Sequence, residues 1–335
     1  MGSGRKTVAE KGRKSYNGKK CGKGMEAVKR ISRLGRLAVV LALLASLAGC
    51  GGNAAVAVAP AATSASGGSY TIPPFSSSAF HPEQAVDYGS VKLDASALTE
   101  GVVAVSANSG SRLKFQVVLG ETKYNYDLPN DGQAAVFPLN MGDGNYAFRL
   151  MEQVGESKYA CIWSESREVV MADEFQPFLR PSQMVNYDAG SQCVSKAREL
   201  AAGCGKDIDA ASAIYDYLVE NIRYDDDKAA TVQPGYLPAP DETLQTGKGI
   251  CFDYAALAAA MMRSLGIPCK LITGYVGNEI YHAWNSFYIH DQGWVTVEIK
   301  APANQWKRVD ITFAAGGLDA KKLDDDSRYT TRYTY

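Results

Sequence analysis

The stretch GKGICFDYAALAAAMMRSLGIPCK, residues 247–270, opens with two glycines and a cysteine. It then runs into an alanine-rich apolar segment that ends at Gly266 and Pro268. Gly247 and Gly249 let the backbone turn tightly into a helix over 251–265, with Cys251 in its first turn. The unpaired N–H groups and the positive end of the helix dipole lie there, and both favour thiolate over thiol. The N–H of Cys251 could also help to bind an oxyanion. The competing reading is a small buried core thiol, a common fate of free cysteine. Met261 and Met262 read as core packing, and Tyr254 as either core or cleft lining.

A nucleophilic thiolate needs a proton partner. The chain has three histidines, and His282 opens a strand in YHAWNSFYI, 281–289. An imidazole there would pair with the thiolate and then protonate a departing amine. His290 sits beside a turn, and His81 precedes the strand-rich region. A carboxylate should orient the histidine. Two candidates stand in the same local pattern: Glu298, four residues after Trp294 in WVTVE, and Asp310, four residues after Trp306 in WKRVD.

Upstream, from 85 to 171, short runs rich in Val, Tyr and Phe alternate with the turn segments NSGS, PNDG and GDGN. They predict a small antiparallel β-sandwich, a spacer or binding module with no visible chemistry. After it the period becomes helical. Ala213, Ile214, Tyr217, Leu218 and Ile222 mark a helix that Asp207 or Asp209 could cap. The segment DDDKAATVQPGYLPAPDETLQTGKG reads as a solvated loop, and its Asp225–Asp227 run lacks the ligand pattern of a calcium-binding loop. Strands KLITGYV, AWNSFYIH, GWVTVEIK and WKRVDITF follow, and LDDDSRYTTRYTY ends in a last one. Helices first and an antiparallel sheet after them predict an α+β domain over 172–335.

The blocks GKGICFDYAALAAAMMRSLGIPCKLITGY, YHAWN and WKRVDITF resemble the transglutaminase-like superfamily, in the branch found in bacterial surface proteins. The resemblance covers about residues 190–315. It implies a papain-like fold and a catalytic triad with Cys251 as nucleophile, His282 as base and Asp310 as orienter. DITFA keeps the Thr and Phe of the family's Asp-Pro-Thr strand, but Ile311 replaces its proline. Asp310 also implies an inserted hairpin, EIKAPANQ, because a compact member has its acid about where Glu298 stands; Glu298 is therefore the reserve. No second oxyanion donor is evident, although Tyr236 is a candidate.

The start of the chain has a different character. Residues 1–49 hold 12 of the 35 Lys and Arg and two of the 36 acids, leaving 23 basic against 34 acidic residues beyond them. So acidic a remainder argues against nucleic acid as a partner. VKRISRLGR followed by LAVVLALLASLAGC has the charged, apolar and small-residue sections of an export signal, with an apolar run short for a bilayer crossing. LAGC resembles the lipobox of bacterial lipoproteins, which implies cleavage before Cys50, its lipidation and anchoring on the extracytoplasmic face of the membrane. Met25 could be the true start. Residues 50–84 then read as the lipidated cysteine and a flexible linker.

Export permits disulfides. Yet Cys193 and Cys204, the nearest pair, flank a helix. Eleven residues of helix span about 16 Å, beyond disulfide reach, so no disulfide framework is expected. No metal or other cofactor is expected. The expected activity is thiol acyl transfer on amide or peptide bonds, as peptidase, amidase or cross-linking enzyme, with cell-wall peptides or surface proteins as substrates. The alternative is an inactive surface module that binds such peptides.

Overall fold

The computed structural model describes residues 70–276, 280–290, 292–300, 305–309 and 329–335. All of them belong to one unit, Thr63–Tyr335. Strands β1 (Val86–Asp87), β2 (Val91–Asp94), β3 (Val102–Ala107) and β6 (Ala135–Pro138) form one sheet in that order. Strands β4 (Leu113–Leu119), β5 (Thr122–Leu128), β7 (Gly144–Gly155) and β8 (Lys158–Val169) form a second, in the order β5-β4-β7-β8. Alternate residues of β4 are buried, as one solvated face requires. Phe115 of the second sheet stacks on Phe137 of the first at 5.0 Å and on its neighbour Phe148 at 5.9 Å. Eight strands thus form the two layers that the Val- and Tyr-rich runs predict.

The helices are α1 (Gln192–Ala201), α2 (Asp207–Asn221), α3 (Asp226–Thr231), α4 (Pro240–Thr246) and α5 (Cys251–Ser264). Between them lie the two-residue strands β9 (Arg223–Tyr224) and β10 (Lys248–Gly249), which pair in parallel. Strands β11 (Cys269–Val276), β12 (Ile280–Ile289), β13 (Gly293–Lys300), β14 (Gln305–Val309) and β15 (Tyr329–Thr334) form an antiparallel sheet in the order β14-β13-β12-β11-β15. Every residue of α5 from Asp253 to Ser264 is buried. A helix apolar all round needs cover on all sides, and α5 has β11 and β12 on one flank and α1, α2 and α4 on others. Its alanines allow that close approach.

The GIP segment ends α5 for a specific reason. Gly266, at φ +78°, donates to Arg263 O, and Ile267 donates to Met262 O. This is the Schellman pattern, with a glycine in the left-handed position and proline just beyond. A side chain at Gly266 would also collide with Pro73.

Several expectations need correction. The buried stripe of α2 is Ala210, Ala211, Ile214, Tyr215 and Leu218, with Ala213 and Tyr217 only half-buried. The helix presents a face rotated by about one residue, with Tyr215 stacked on Phe287 of β12 at 5.9 Å. Neither Asp207 nor Asp209 caps α2; the N-cap position is Lys206, and Asp207 instead accepts the Tyr70 hydroxyl at 2.7 Å. The Asp225–Asp227 run is no open loop. Asp225 accepts the Lys228 N–H at 2.9 Å and caps the short helix α3. Packing also begins at residue 70 rather than 85, since Phe75 meets Tyr187 edge-on at 5.7 Å and Ile72 lies on the core.

Residues 1–69, with Met25 and Cys50, lie outside the described residues. Among the described residues no helix is long and apolar enough to cross a membrane. Cys161, Cys193, Cys204, Cys251 and Cys269 carry free thiols.

Candidate active site

Cys251 is the first residue of α5, and Ile250 before it is extended at φ −91°, ψ 174°. The turn into the helix is fixed from behind. Gly247 ends α4 in the left-handed conformation at φ +61°. Gly249 has another role than the tight turn expected of it. A Cβ there would lie 2.7 Å from the Cβ of Asp253, so glycine is what lets β10 pass the first turn of α5. Arg223 donates to Gly247 O and Asp225 to Gly249 O, which pins β10 beside β9.

Asp253 is the centre of a network that sequence reasoning missed. Its side chain is fully buried. Oδ2 accepts the Ile250 N–H at 2.9 Å and pairs with Lys228 Nζ at 2.7 Å. Oδ1 accepts the Tyr236 hydroxyl at 2.6 Å, and Lys228 Nζ donates to the Tyr236 oxygen, also at 2.6 Å. Burial alone would weaken the charge on Lys228, but its bonds to Asp253 and Tyr236 outweigh that and hold its pKa above the ordinary lysine range. Burial first, then the bond to Asp253, pushes the Tyr236 phenol up to about 12. The Tyr236 hydroxyl donates its hydrogen bond to Asp253, so it is not the free oxyanion donor suggested by its position in the chain. The only sequence signal was a C-x-D spacing that places an acid at the third helical position, where it can cap the helix.

His282 lies in β12 opposite Gly274 of β11, its ring parallel to Trp284 at 6.5 Å between centroids. The strand is tied to the cysteine helix by Asn285, which is buried and donates to Ala255 O at 2.9 Å and Lys270 O at 3.2 Å. Gly274 is needed where it stands, because a Cβ would lie 2.1 Å from Thr330 O of β15. Cys251 and His282 open on the same cleft, about 520 Å³ in volume, whose roof is the segment 232–237 after α3. Tyr224 is beside them: burial, then its nearness to Cys251, raises its phenol.

Part of the cleft wall comes from the sandwich, through Asn125 and Asp127 of β5 and the nearby Gln183. The sandwich is therefore more than the chemically silent module that its sequence suggests. Glu298 lies on β13 opposite Lys307, and its side chain is outside the described residues, as is Asp310. Among the described residues no group of three or more His, Cys, Asp or Glu side chains gathers to hold a metal ion.

Tyr254 is a core residue, 4% exposed, and its hydroxyl donates to Ile222 O at 2.6 Å. Burial, then the nearby Tyr224, pushes its phenol up to about 12 from the ordinary 10.0. Between those values the folded state holds a proton that the unfolded chain releases. Stability should therefore fall as pH rises above 10, by about 1.4 kcal/mol per pH unit for one such group. Tyr254→Phe should flatten the slope by about that amount in urea unfolding between pH 10 and pH 12. An unchanged slope would contradict the buried phenol.

Human kyphoscoliosis peptidase is 26% identical to this chain over 193 residues, covering 53% of this chain and 27% of the relative. The chain thus spans about a quarter of the length of the curated relatives it first matches. A protein-glutamine gamma-glutamyltransferase of Pseudomonas aeruginosa is 34% identical over 98 residues, covering 27% of this chain and 14% of the relative. Among solved structures, the periplasmic domain of TgpA from the same organism aligns at a TM-score of 0.31 and 16% identity, over 64% of this chain and 71% of that one. Residues 194–299, from α1 to β13, match the family model of the transglutaminase-like superfamily. That match makes residues 194–299, the region that carries Cys251 and His282, a domain of the transglutaminase-like superfamily.

Proposed function

We propose that the chain is an exported lipoprotein, anchored through Cys50, whose Cys251 attacks amide or peptide bonds and takes up their acyl group as a thioester. The observation that carries this is the meeting of Cys251, at a helix start, and His282 in one cleft. The Cys251 sulfur attacks the carbonyl carbon, and His282 gives its proton to the departing amine as the C–N bond breaks. Water or a second amine then attacks the thioester, His282 takes up the proton, and the thiolate is restored. Asp310 orients the imidazole, with Glu298 as the reserve carboxylate. Attack by water makes the chain a peptidase or amidase, and attack by an amine makes it a cross-linking enzyme. The names of the relatives stand on both sides of that division. The family resemblance among bacterial proteins favours hydrolysis. The lipobox favours cell-wall peptides or surface proteins as substrates.

Iodoacetamide labelling at pH 7, mapped by mass spectrometry, tests the thiol. Cys251 should label about tenfold faster than the exposed Cys161. Cys193 and Cys269 should stay unlabelled, because burial holds both thiols protonated, Cys269 up to about 12. His282→Ala should bring Cys251 down to the rate of Cys161. Equal rates for Cys251 and Cys161 in the unaltered chain would sink the catalytic reading.

A further inference from the structure

Part of the wall of the Cys251 cleft is an edge strand. β5 is the first strand of its sheet and pairs only with β4 among the described residues. Asp127 turns its carbonyl away from β4, toward Gln183 Nε2 at 2.7 Å. In an antiparallel pair, residues two apart present their main-chain groups to the same edge, so the N–H and C=O of Asn125 face the same way. Among the described residues no other segment takes up the Asn125 main chain. Gln183 also donates its own N–H to Val136 O of β6. It therefore already makes the first rung of a ladder along the sandwich edge, and the next rung, at Asn125, is open to the cleft.

The cleft suits an extended chain in two further ways. Val232, Leu237 and Tyr281 are large apolar residues 36%, 39% and 51% exposed, and all three line it. Exposed apolar side chains gathered around one groove mark a docking surface. A second cleft of about 510 Å³ shares Gln183 and Leu237 with the first, so the groove continues past the site. The Asp127 carboxylate is met by Arg112 at 3.2 Å and Lys114 at 3.0 Å, so the wall offers main chain rather than an unpaired charge.

We propose that the substrate is an extended, unfolded peptide segment with apolar side chains, held by strand addition to the sandwich edge at Asn125. The inference rests on the reading of Cys251 as an amide-attacking thiol, and adds that the sandwich, not the catalytic domain alone, reads the substrate. Its apolar side chains pack on Val232, Leu237 and Tyr281, while its main chain pairs with β5.

The test uses the full chain with Cys251→Ser, so that no chemistry intervenes. The probe is fluorescein-labelled, reduced and carboxymethylated α-lactalbumin, a permanently unfolded polypeptide, followed by anisotropy. Saturable binding is expected. It should weaken at least tenfold with Asn125→Pro, which removes the edge N–H, and stay within twofold with Asn125→Ala, which keeps it. Val232→Ser with Leu237→Ser should also weaken it at least tenfold, and decides the matter if the proline variant does not fold. Val154→Ser, at an exposed apolar residue outside the cleft, should have no effect. Absent binding, or binding that these wall and roof variants leave unchanged, overturns the proposal. Iodoacetamide labelling of the unaltered chain reports separately on the thiol. Fast labelling without peptide binding would leave the enzyme reading standing and remove this one.

Discussion

Lys228→Met should destabilise the protein by about 3 kcal/mol, although the lysine lies on a short helix that buries none of its residues. The Asp253 carboxylate is entirely buried, and Lys228 is its ion-pair partner at 2.7 Å. Methionine keeps the length of the side chain and removes the charge. The carboxylate then keeps its bonds from Ile250 and Tyr236 but faces a low-dielectric interior uncompensated. The lower end of the usual range for a broken buried pair applies, because the Lys228 side chain is itself 26% exposed and water can partly replace it. Urea unfolding at pH 7 measures the loss. Lys228→Met combined with Asp253→Asn should cost about 1–2 kcal/mol less than the two single losses added together, since contacting partners are not additive. The pH dependence has a definite sign. The folded pKa of Lys228 is raised, so its contribution is complete below the ordinary lysine range and is lost as pH climbs through the raised value. The same variant should loosen the roof of the cleft, which shows as new proteolytic cuts within 226–237 in the otherwise folded chain. A variant within about 0.5 kcal/mol of the unaltered protein would mean that the pair is incidental.

That network also shows where the sequence stops being legible. Cys251, Gly247, Gly266 and His282 announce themselves because their signals are local: a helix start, a left-handed stop and a strand opening are each set by a few neighbouring residues. The two-layer sandwich was legible for the same reason, since alternation and turn residues act over short spans. Lys228 is different. In DDDK it looks like one more solvated charge, and only the fold brings it across 25 residues of chain to Asp253. Asn125 and Asp127 were invisible as cleft residues, because nothing in a strand's alternation says which edge of the sheet will lie beside another domain. The rotated stripe of α2 is a subtler case. Its apolar residues allow either face to be buried, and the contact of Tyr215 with Phe287 of β12 marks the face that is. The assignment of Asp310 over Glu298 rests on the resemblance, since both side chains lie outside the described residues.

Arg263→Met should cost about 4 kcal/mol or more, from a residue that an apolar helix gives no reason to expect inside the core. Arg263 is 2% exposed. Its Nε donates to Cys269 O at 2.9 Å, Nη1 to Arg180 O at 2.8 Å and Nη2 to Tyr335 O at 2.9 Å. One planar fork thereby joins the start of β11, the segment leading out of the sandwich and the end of the last strand. Methionine fills much of the volume but leaves three carbonyls without this donor, each at about 1–3 kcal/mol if nothing replaces it. Arg263→Lys should recover only part of the loss, because an ammonium is a point charge and cannot reach three carbonyls in fixed directions. In a thermal melt the methionine variant should fall by roughly 10 °C, at about 2–4 °C per kcal/mol for a chain of this size, and a fall of under about 3 °C would refute the role. The two buried charges hold opposite ends of α5, and this separates their effects. Asp253, paired with Lys228 of α3, sits in the first turn with Cys251, so loss of the pair should slow the selective labelling of that thiol even in fully folded protein. Arg263 is in the last turn, so its loss should lower the melting temperature while Cys251 labels at an unchanged rate well below the melt.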